Sequence, residues 1–229
     1  MVDTELPPSR FFPPADSADP MGFIGAGGRL SPEYLLDAYR HGIFPWPMGD
    51  IDEPPLWWSL APRAIIELDS LHISRRLRRT CRSGKFTVTS DRAFGEVIQQ
   101  CATGHGRRGE TWITPRMIDA YTRMFELGHA HSVEVWEGER LAGGLYGLAI
   151  DGLFAAESMF YCVSDASKVA LVRLVEHLNA RGYRLLDIQE LTSHTSRMGA
   201  IEISRREYLR RLAKALTVDA SFGDILERT

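Results

Sequence analysis

The sequence has few cysteines, no long apolar run and no recognisable export signal. Cys81, Cys101 and Cys162 are the only cysteines among 229 residues, and their odd number and irregular spacing exclude a disulfide framework. No apolar run approaches the roughly 20 residues that a membrane-spanning helix needs. The N-terminal segment lacks the basic start and the apolar core of a signal peptide. We therefore expect a cytoplasmic protein with reduced thiols and no membrane partner.

The sequence also lacks the short motifs that bind nucleotides, metals or a catalytic serine. It contains neither the glycine-rich phosphate loop nor the serine elbow of hydrolases. The glycines within residues 25–28 do not match the dinucleotide-binding fingerprint, and no matching strand–helix–strand unit follows them. No spacing of histidine and cysteine completes a metal-ligand set. These absences predict no metal and no cofactor.

Positive charge is not in excess overall, but it is concentrated in one short segment. The chain carries 27 basic and 30 acidic side chains, a net charge of -3. The stretch "HISRRLRRTCRSGK", residues 72–85, nevertheless holds no carboxylate. Ser74 is a candidate cap for a helix that ends at Gly84. The cations of this segment are Arg75, Arg76, Arg78, Arg79, Arg82 and Lys85.

Most of these cations share one face of the predicted helix. At about 100° per residue, the arginines at 75, 78, 79 and 82 fall within an arc of about 100°, whereas Leu77 and Cys81 lie opposite. A solvated helix face is the simplest explanation of such a charge run. Here, however, no acidic residue at i±4 relieves the repulsion, and the guanidinium fork matches phosphate oxygens. We favour a folded RNA as the partner of this face.

The order of predicted elements indicates an α/β (α+β) fold with two domains. Residues 1–62 are rich in Pro and Trp and predict a small N-terminal domain with one short helix, from Pro32 to about His41, and otherwise irregular loops. In residues 63–229 strands alternate with helices, and three successive strands feed a long helix and one more strand. That helix extends from about Asp165 to Arg181.

Short polar residues predict where three other helices begin. Asp91 is a candidate cap for a helix that extends to about Cys101, and Thr114 is a candidate cap for another. Ser204, with Glu207 three residues later, forms a candidate capping box for the last helix.

Trp46, Trp57 and Trp58 lie within thirteen residues of the first domain, and Trp112 lies just before a predicted helix of the second. Tryptophan in a small Pro-rich unit commonly forms its core. An aromatic face can equally stack on an unpaired base. The sequence leaves both interpretations open.

Polar side chains interrupt two predicted strands. In "RLLDIQ", Asp187 and Gln189 share one face, and in "FAAESMF" Glu157 interrupts an apolar strand. Buried polar groups without partners cost of order 1–3 kcal/mol each. Such interruptions on neighbouring strands are typical of a functional site.

Several unusual strings then occur in one order along residues 22–213: "LSPEYLLDAYRHGIFPW", "LWWS", "HISRRLRR", "TWIT", "GHAHSVEVW", "GGLYGL", "ESMF", "ASK" and "LLDIQ". In these strings the chain resembles the leucyl/phenylalanyl-tRNA–protein transferases. The resemblance implies transfer of Leu or Phe, with Met a third candidate, from aminoacyl-tRNA to proteins with N-terminal Arg or Lys, which marks them for N-end rule degradation. It also implies a small N-terminal domain beside an acyl-CoA N-acyltransferase-like (GNAT-like) domain.

The resemblance assigns roles to the candidate residues. The tRNA would contact the basic helix, Arg75–Arg82. The terminal adenosine would lie near Trp46 and Trp112, with Tyr39 close by. The side chain of the donor amino acid needs an apolar pocket, for which the candidates are Leu145, Phe154 and Met159. The aminoacyl ester would lie near Glu157, Asp187 and Gln189.

A mechanism follows from the chemistry of the implied donor. An aminoacyl ester is already activated, and an α-amine with a pKa of about 8 has a neutral fraction at pH 7, so alignment matters more than a strong base. The hypothesis is that the carbonyl of Gln189 accepts a hydrogen bond from the amine while Asp187 holds the Gln189 amide. The terminal hydroxyl of the tRNA would pass the proton to the leaving oxygen. Glu157 would bind the ammonium of the donor or the cation of the acceptor.

Three other functions would each explain part of the sequence. A CoA-dependent N-acetyltransferase would need a pyrophosphate cradle, and "RLAGGL", Arg140–Leu145, only approaches that pattern. A non-catalytic RNA-binding module would leave Asp187, Gln189 and Glu157 without a purpose. A ligase that uses aminoacyl-tRNA on cell-wall peptides shares the donor but not the series of strings.

Overall fold

A computed structural model describes residues 6–46, 54–103 and 112–225, and within them the strands form two sheets. The first sheet has the order β1-β3-β2, with β1 at Phe23–Ala26, β2 at Phe44–Pro45 and β3 at Leu56–Trp58. The prediction that this part of the chain forms only irregular loops beside its helix is wrong, because three of its segments pair in a sheet. Pro45 is tolerated because β2 is an edge strand of that sheet, where a missing N–H costs no ladder bond. Residues 47–53, within the stretch that the sequence predicts to be irregular, lie outside the described residues.

The second sheet has seven strands in the order β10-β4-β9-β8-β7-β6-β5. Its strands are β4 Arg63–Ile66, β5 Thr87–Ser90, β6 Ala130–Glu137, β7 Arg140–Ile150, β8 Leu153–Tyr161, β9 Leu185–Gln189 and β10 Ile201–Ile203. All of its pairs are antiparallel except β8 with β9. The predicted meander is therefore β6-β7-β8.

Seven helices of the described residues surround this sheet. They are α1 Pro32–Arg40, α2 Arg75–Arg82, α3 Phe94–Thr103, α4 Pro115–Glu126, α5 Ala166–Ala180, α6 Ser193–Arg197 and α7 Arg205–Ala215. Helices α3 and α4 contribute to the hydrophobic core on one side, and α5 contributes to the core on the other. Helix α5 connects β8 to the parallel β9, as a crossover must. The α/β class is confirmed, and this crossover agrees with the acyltransferase-like domain that the resemblance implies.

Helix caps confirm most of the predicted starts and correct one of them. Ser74 and Thr114 accept hydrogen bonds from the third residue after them, as caps do. Asp91 does not cap α3. Its backbone has a positive φ of 58° and its carboxylate accepts from the backbone of Ser132 on β6, so the helix starts only at Phe94.

The predicted capping box at α7 is only half formed. The Ser204 hydroxyl accepts from the Glu207 amide. The Glu207 carboxylate instead accepts from Arg210 and Arg211 on the same helix, because guanidinium donors outcompete a backbone amide.

Candidate active site

A cavity opens where the two parallel strands of the large sheet separate. Pairing between β8 and β9 is last seen at Ala155 and Asp187. The residues that follow on both strands, among them Met159 and Ile188, line a cavity of about 480 Å³. A cleft at the carboxyl ends of parallel strands is a common ligand site in α/β proteins. The site therefore follows from the way β9 leaves β8.

Glu157 reaches the cavity because it is the extra residue of a β-bulge. On β7, the consecutive residues Tyr146 and Gly147 pair with Ser158 and Ala156, which leaves Glu157 without a partner. A bulge breaks the alternation of side chains and re-aims the residue that it adds. As a result Glu157 lines the cavity together with both of its neighbours.

A second bulge lies opposite, on β9. The consecutive residues Ala64 and Ile65 of β4 pair with Gln189 and Asp187, so Ile188 is the extra residue. Ile188 and Gln189 both line the cavity, whereas Asp187 is fully buried behind them. The predicted sharing of one face by Asp187 and Gln189 is therefore wrong, because a bulge separates them.

Two tyrosines hold the carboxyl group of Glu157. The Tyr39 hydroxyl lies 2.7 Å from Glu157 Oε1, and the Tyr121 hydroxyl lies 2.9 Å from Oε2. The two hydroxyls are themselves 2.6 Å apart. Both phenols are buried, and burial raises their pKa values, so they keep their protons.

The three contacts among Tyr39, Tyr121 and Glu157 form a ring, and the number of protons in it depends on whether Glu157 is ionised. Three oxygen–oxygen contacts of hydrogen-bond length need three protons, and the two phenols supply two. When Glu157 is protonated, its carboxylic acid supplies the third, and the ring closes with Tyr39 donating to Tyr121, Tyr121 to the carboxyl group and the carboxyl group to Tyr39. When Glu157 is ionised, Tyr39 and Tyr121 each donate to one of its oxygens. Burial raises the pKa of Glu157 to about 7 although the phenol hydrogen bonds favour the ionised form, so Glu157 is only partly ionised at neutral pH.

Asp187 binds a buried arginine and does not face the cavity. Its two oxygens accept from Arg63 Nε at 2.9 Å and Nη2 at 2.7 Å, and one also accepts from the Tyr208 hydroxyl at 2.8 Å. The Arg63 guanidinium lies 4.5 Å from the ring centroids of both Phe44 and Tyr208. Both partners are buried, and hydrogen bonds satisfy each oxygen of Asp187, as the burial of an ion pair requires.

Asp187 holds the backbone of Gln189 rather than its side-chain amide. Asp187 Oδ1 accepts from the Gln189 backbone N–H at 2.9 Å, and Gln189 adopts a positive φ of 55°. The Gln189 side chain instead donates from Nε2 to Glu157 Oε1 at 3.3 Å. The hypothesis that Asp187 holds this amide is thus corrected. Gln189 itself lines the cavity.

The tryptophans divide between the two interpretations. Trp57 and Trp58 are buried in the core of the small sheet, and the Trp58 indole donates to the backbone oxygen of Trp46. Trp46 and Trp112 are half-buried and line the cavity. Tyr39 is 1% exposed and lies behind Glu157, so it supports the site without facing the cavity.

The predicted apolar pocket is present in part. Leu145 and Met159 pair across β7 and β8, and both line the cavity. Phe154 does not line it, because Phe154 lies before the bulge and stacks on Phe222 at 5.5 Å. Ile188, which the sequence did not single out, lines the cavity instead.

The basic helix α2 presents its arginines to solvent as predicted. Leu77 is buried on the opposite side, and the six cations are exposed. Two of them have distant partners: Arg76 binds Asp165 at 2.8 Å and Lys85 binds Glu137 at 3.4 Å. The other four form no ion pair with any described residue.

Three supporting residues of the site carried no recognised signal in the sequence. Tyr121 and Tyr208 occur on amphipathic helices, where tyrosine is usually a core residue. Arg63 opens a buried strand of four residues, and a charged residue at such a position is unusual enough to indicate a buried partner.

Within the described ranges, no group of three or more His, Cys, Asp or Glu side chains could hold a metal ion. None of the helices that the structure describes combines the length and apolar character of a membrane span.

Comparison with known proteins gives two family matches. Residues 28–60 match the family model described as "Leucyl/phenylalanyl-tRNA protein transferase N-terminal domain", and residues 65–213 match the one described as "Leucyl/phenylalanyl-tRNA protein transferase".

Curated relatives have the same name. The leucyl/phenylalanyl-tRNA–protein transferase of Anaeromyxobacter sp. (strain Fw109-5) is 54% identical over 218 residues, which cover 94% of this chain and 92% of the relative. That of Nitratidesulfovibrio vulgaris (strain DP4) is 50% identical over 213 residues, which cover 93% and 90%. Among solved structures, a GCN5-related N-acetyltransferase from Kribbella flavida is 10% identical with a TM-score of 0.34, over 76% of this chain and 61% of that one.

Proposed function

The chain belongs to the leucyl/phenylalanyl-tRNA–protein transferase family, and we propose that it moves Leu or Phe from charged tRNA to proteins that begin with Arg or Lys. It is an aminoacyltransferase, and its substrates are an aminoacyl-tRNA and a protein. The reaction takes place in the cytoplasm and marks the acceptor for degradation.

The observation that carries this proposal is the composition of one cavity. Trp46 and Trp112, which can stack on a terminal adenine, line the same cavity as Met159, Glu157 and Gln189. An aminoacyl-adenosine has three parts, a base, an ester and a side chain. The cavity offers an aromatic wall, a polar cluster and an apolar wall that suit these parts in turn.

The reaction needs alignment and one proton transfer. The nitrogen of the incoming α-amine attacks the ester carbonyl carbon, the bond from that carbon to the ribose oxygen breaks, and a proton of the amine passes to this oxygen. The Gln189 carbonyl accepts a hydrogen bond from the attacking amine and so orients its lone pair. The terminal ribose hydroxyl of the tRNA carries the proton to the leaving oxygen.

The protein residues around Gln189 act as positioning groups. Asp187, fixed by Arg63 and Tyr208, holds the Gln189 backbone in its left-handed turn. Glu157 accepts from the Gln189 amide and fixes which end of that amide faces the substrate. With its pKa raised to about 7, Glu157 is only partly ionised at neutral pH, and its contact with the Gln189 amide assigns it the role of orienting Gln189.

The stretch that approaches the pyrophosphate pattern of an acetyltransferase does not form a cradle for pyrophosphate. Arg140–Leu145 lies inside β7, which pairs with β6 on one side and β8 on the other, so its backbone amides belong to the sheet ladder. A pyrophosphate cradle needs free amides at a helix N-terminus.

Transfer of labelled Phe or Leu from charged tRNA to matched acceptors tests the proposal. One acceptor begins with Arg, one with Lys and a control with Met. Label on the first two alone, lost after ribonuclease treatment, is the expected result. Label on none of them would overturn the proposed function.

A further inference from the structure

Two basic side chains and a histidine lie at or near the cavity. His194 and Arg197 of the short helix α6 line the cavity, and Arg197 is exposed. Lys168 follows Ser167, which also lines the cavity, and the charges of Lys168 and Arg197 act with burial to lower the pKa of His194. We call Lys168, His194 and Arg197 the rim cluster. The proposed reaction gives it no role.

The rim cluster is continuous with the basic helix α2. The backbone N–H of His72, just before α2, donates to the carbonyl of Met198, just after α6, at 2.9 Å. Asp165 joins the two groups at a second point, since its carboxylate binds both Lys168 and Arg76 at 2.8 Å. The rim cluster and α2 therefore adjoin, with the carboxylate of Asp165 between Lys168 and Arg76.

Asp165 and Glu190 are carboxylates near these basic side chains. Among the described residues, only Asp165 forms an ion pair with a member of the rim cluster, and Arg76 shares it. Glu190 also lines the cavity but forms no ion pair among the described residues. Arg197 likewise has no carboxylate within ion-pair distance in the described ranges. An exposed guanidinium beside two further cationic or polar donors suits an anion.

We propose that the rim cluster binds the phosphodiester groups of the unpaired acceptor end of the tRNA. This inference rests on the proposed function. If the terminal adenosine occupies the cavity and the duplex lies on α2, the single strand between them must cross the surface that joins the two. The rim cluster lies on that surface. An acceptor protein that begins with Arg or Lys carries positive charge, so like-charge repulsion disfavours it there.

Donors of three lengths test the proposal. Aminoacyl-adenosine has no phosphate, an aminoacyl trinucleotide has the phosphates of the single strand, and aminoacyl-tRNA adds the duplex. Arg197→Gln and Lys168→Gln are each expected to raise KM about tenfold for the trinucleotide and the tRNA, the usual cost of a lost charged hydrogen bond. KM for aminoacyl-adenosine should not change. Arg184→Gln, at an exposed position in front of β9, is the matched control.

A variant on α2 distinguishes binding of the duplex at α2 from binding of the single strand at the rim cluster. Arg79→Gln should raise KM for the full tRNA and leave the trinucleotide unaffected. For Arg197→Gln, the slope of log affinity against log salt for the trinucleotide should fall by about 0.7, the value for one phosphate on a single strand.

Two results would overturn the inference. Equal losses with aminoacyl-adenosine would assign the rim cluster to the aminoacyl group. A rise in the KM of the acceptor instead of the donor would assign it to the acceptor protein.

Binding of an uncharged trinucleotide, followed by quenching of tryptophan fluorescence, keeps the test independent of catalysis. If wild type binds it and the rim variants bind it about tenfold more weakly, the site is supported even where transfer fails. If wild type and variants bind equally well, or wild type does not bind, the inference is wrong whatever the transfer assay shows.

Discussion

The proton shared by Glu157, Tyr39 and Tyr121 should be visible in the pH dependence of stability. Burial raises the pKa of Glu157 from its ordinary value of 4.5 to about 7 in the folded chain. The folded chain then keeps a proton that the unfolded chain releases between pH 4.5 and 7, so the free energy of unfolding falls as pH rises through this window. At about 1.4 kcal/mol per pH unit, the total loss is about 3 kcal/mol.

Glu157→Gln removes this dependence and keeps the ring. Glutamine has the shape of the neutral acid, donates an N–H to Tyr39 and accepts from Tyr121. Between pH 5 and pH 8 the free energy of unfolding of wild type should therefore fall by about 3 kcal/mol more than that of the variant. Urea unfolding curves at the two pH values, followed by tryptophan fluorescence, measure the difference.

Glu139→Gln is a suitable control, because Glu139 is exposed in the turn between β6 and β7. It should show no such change with pH. If Glu157→Gln differed from wild type by the same amount at both pH values, Glu157 would be ionised throughout, and the count of three protons would be wrong. The carbon-13 shift of the Glu157 carboxyl group, followed through a pH titration, gives a direct second reading.

Three further changes test the site. Gln189→Ala should lower kcat about 10- to 100-fold with little effect on the KM of the tRNA, because it removes one hydrogen bond to the attacking amine; full turnover would refute this role. Arg63→Met leaves Asp187 charged and buried without its cation, and should cost about 3–5 kcal/mol in urea unfolding at pH 7; Arg63→Lys should cost less, and equal costs would contradict a charge effect. Arg79→Gln should lower the slope of log affinity against log salt for tRNA by about one with an unchanged melting temperature, whereas an unchanged slope would exclude a phosphate contact.

Local sequence signals predicted the elements well where a local cause determines them. The cap at Ser74 and the spacing of the arginines are sufficient to define α2, because capping and helical periodicity act within one or two turns. The meander and the crossover helix likewise follow from alternation and length. The pairing of β1 with β3 in the small sheet joins residues that are 30 or more positions apart, so local sequence signals could not predict it.

The candidate site was predicted in its residues but not in its contacts. Alternation assigned Asp187 and Gln189 to one face, and a single bulged residue, Ile188, separates them. Bulges have no reliable sequence signature, so strand periodicity fails at the positions where the site forms. Tyr121 was missed because a helical tyrosine that supports a carboxyl group looks the same in sequence as one that fills a core.

The contacts of Asp187 also have a consequence for synthesis of the chain. Arg63 begins the large sheet, Asp187 lies on β9, and Tyr208 lies on α7, close to the C-terminal end of the described residues. Gln189 is thus held by a group whose last hydrogen-bond donor emerges from the ribosome after almost every other part of the fold. A partly synthesised chain has both bulges and the cavity in its sequence but lacks this donor. The ordered site would therefore form only after α7 has been synthesised.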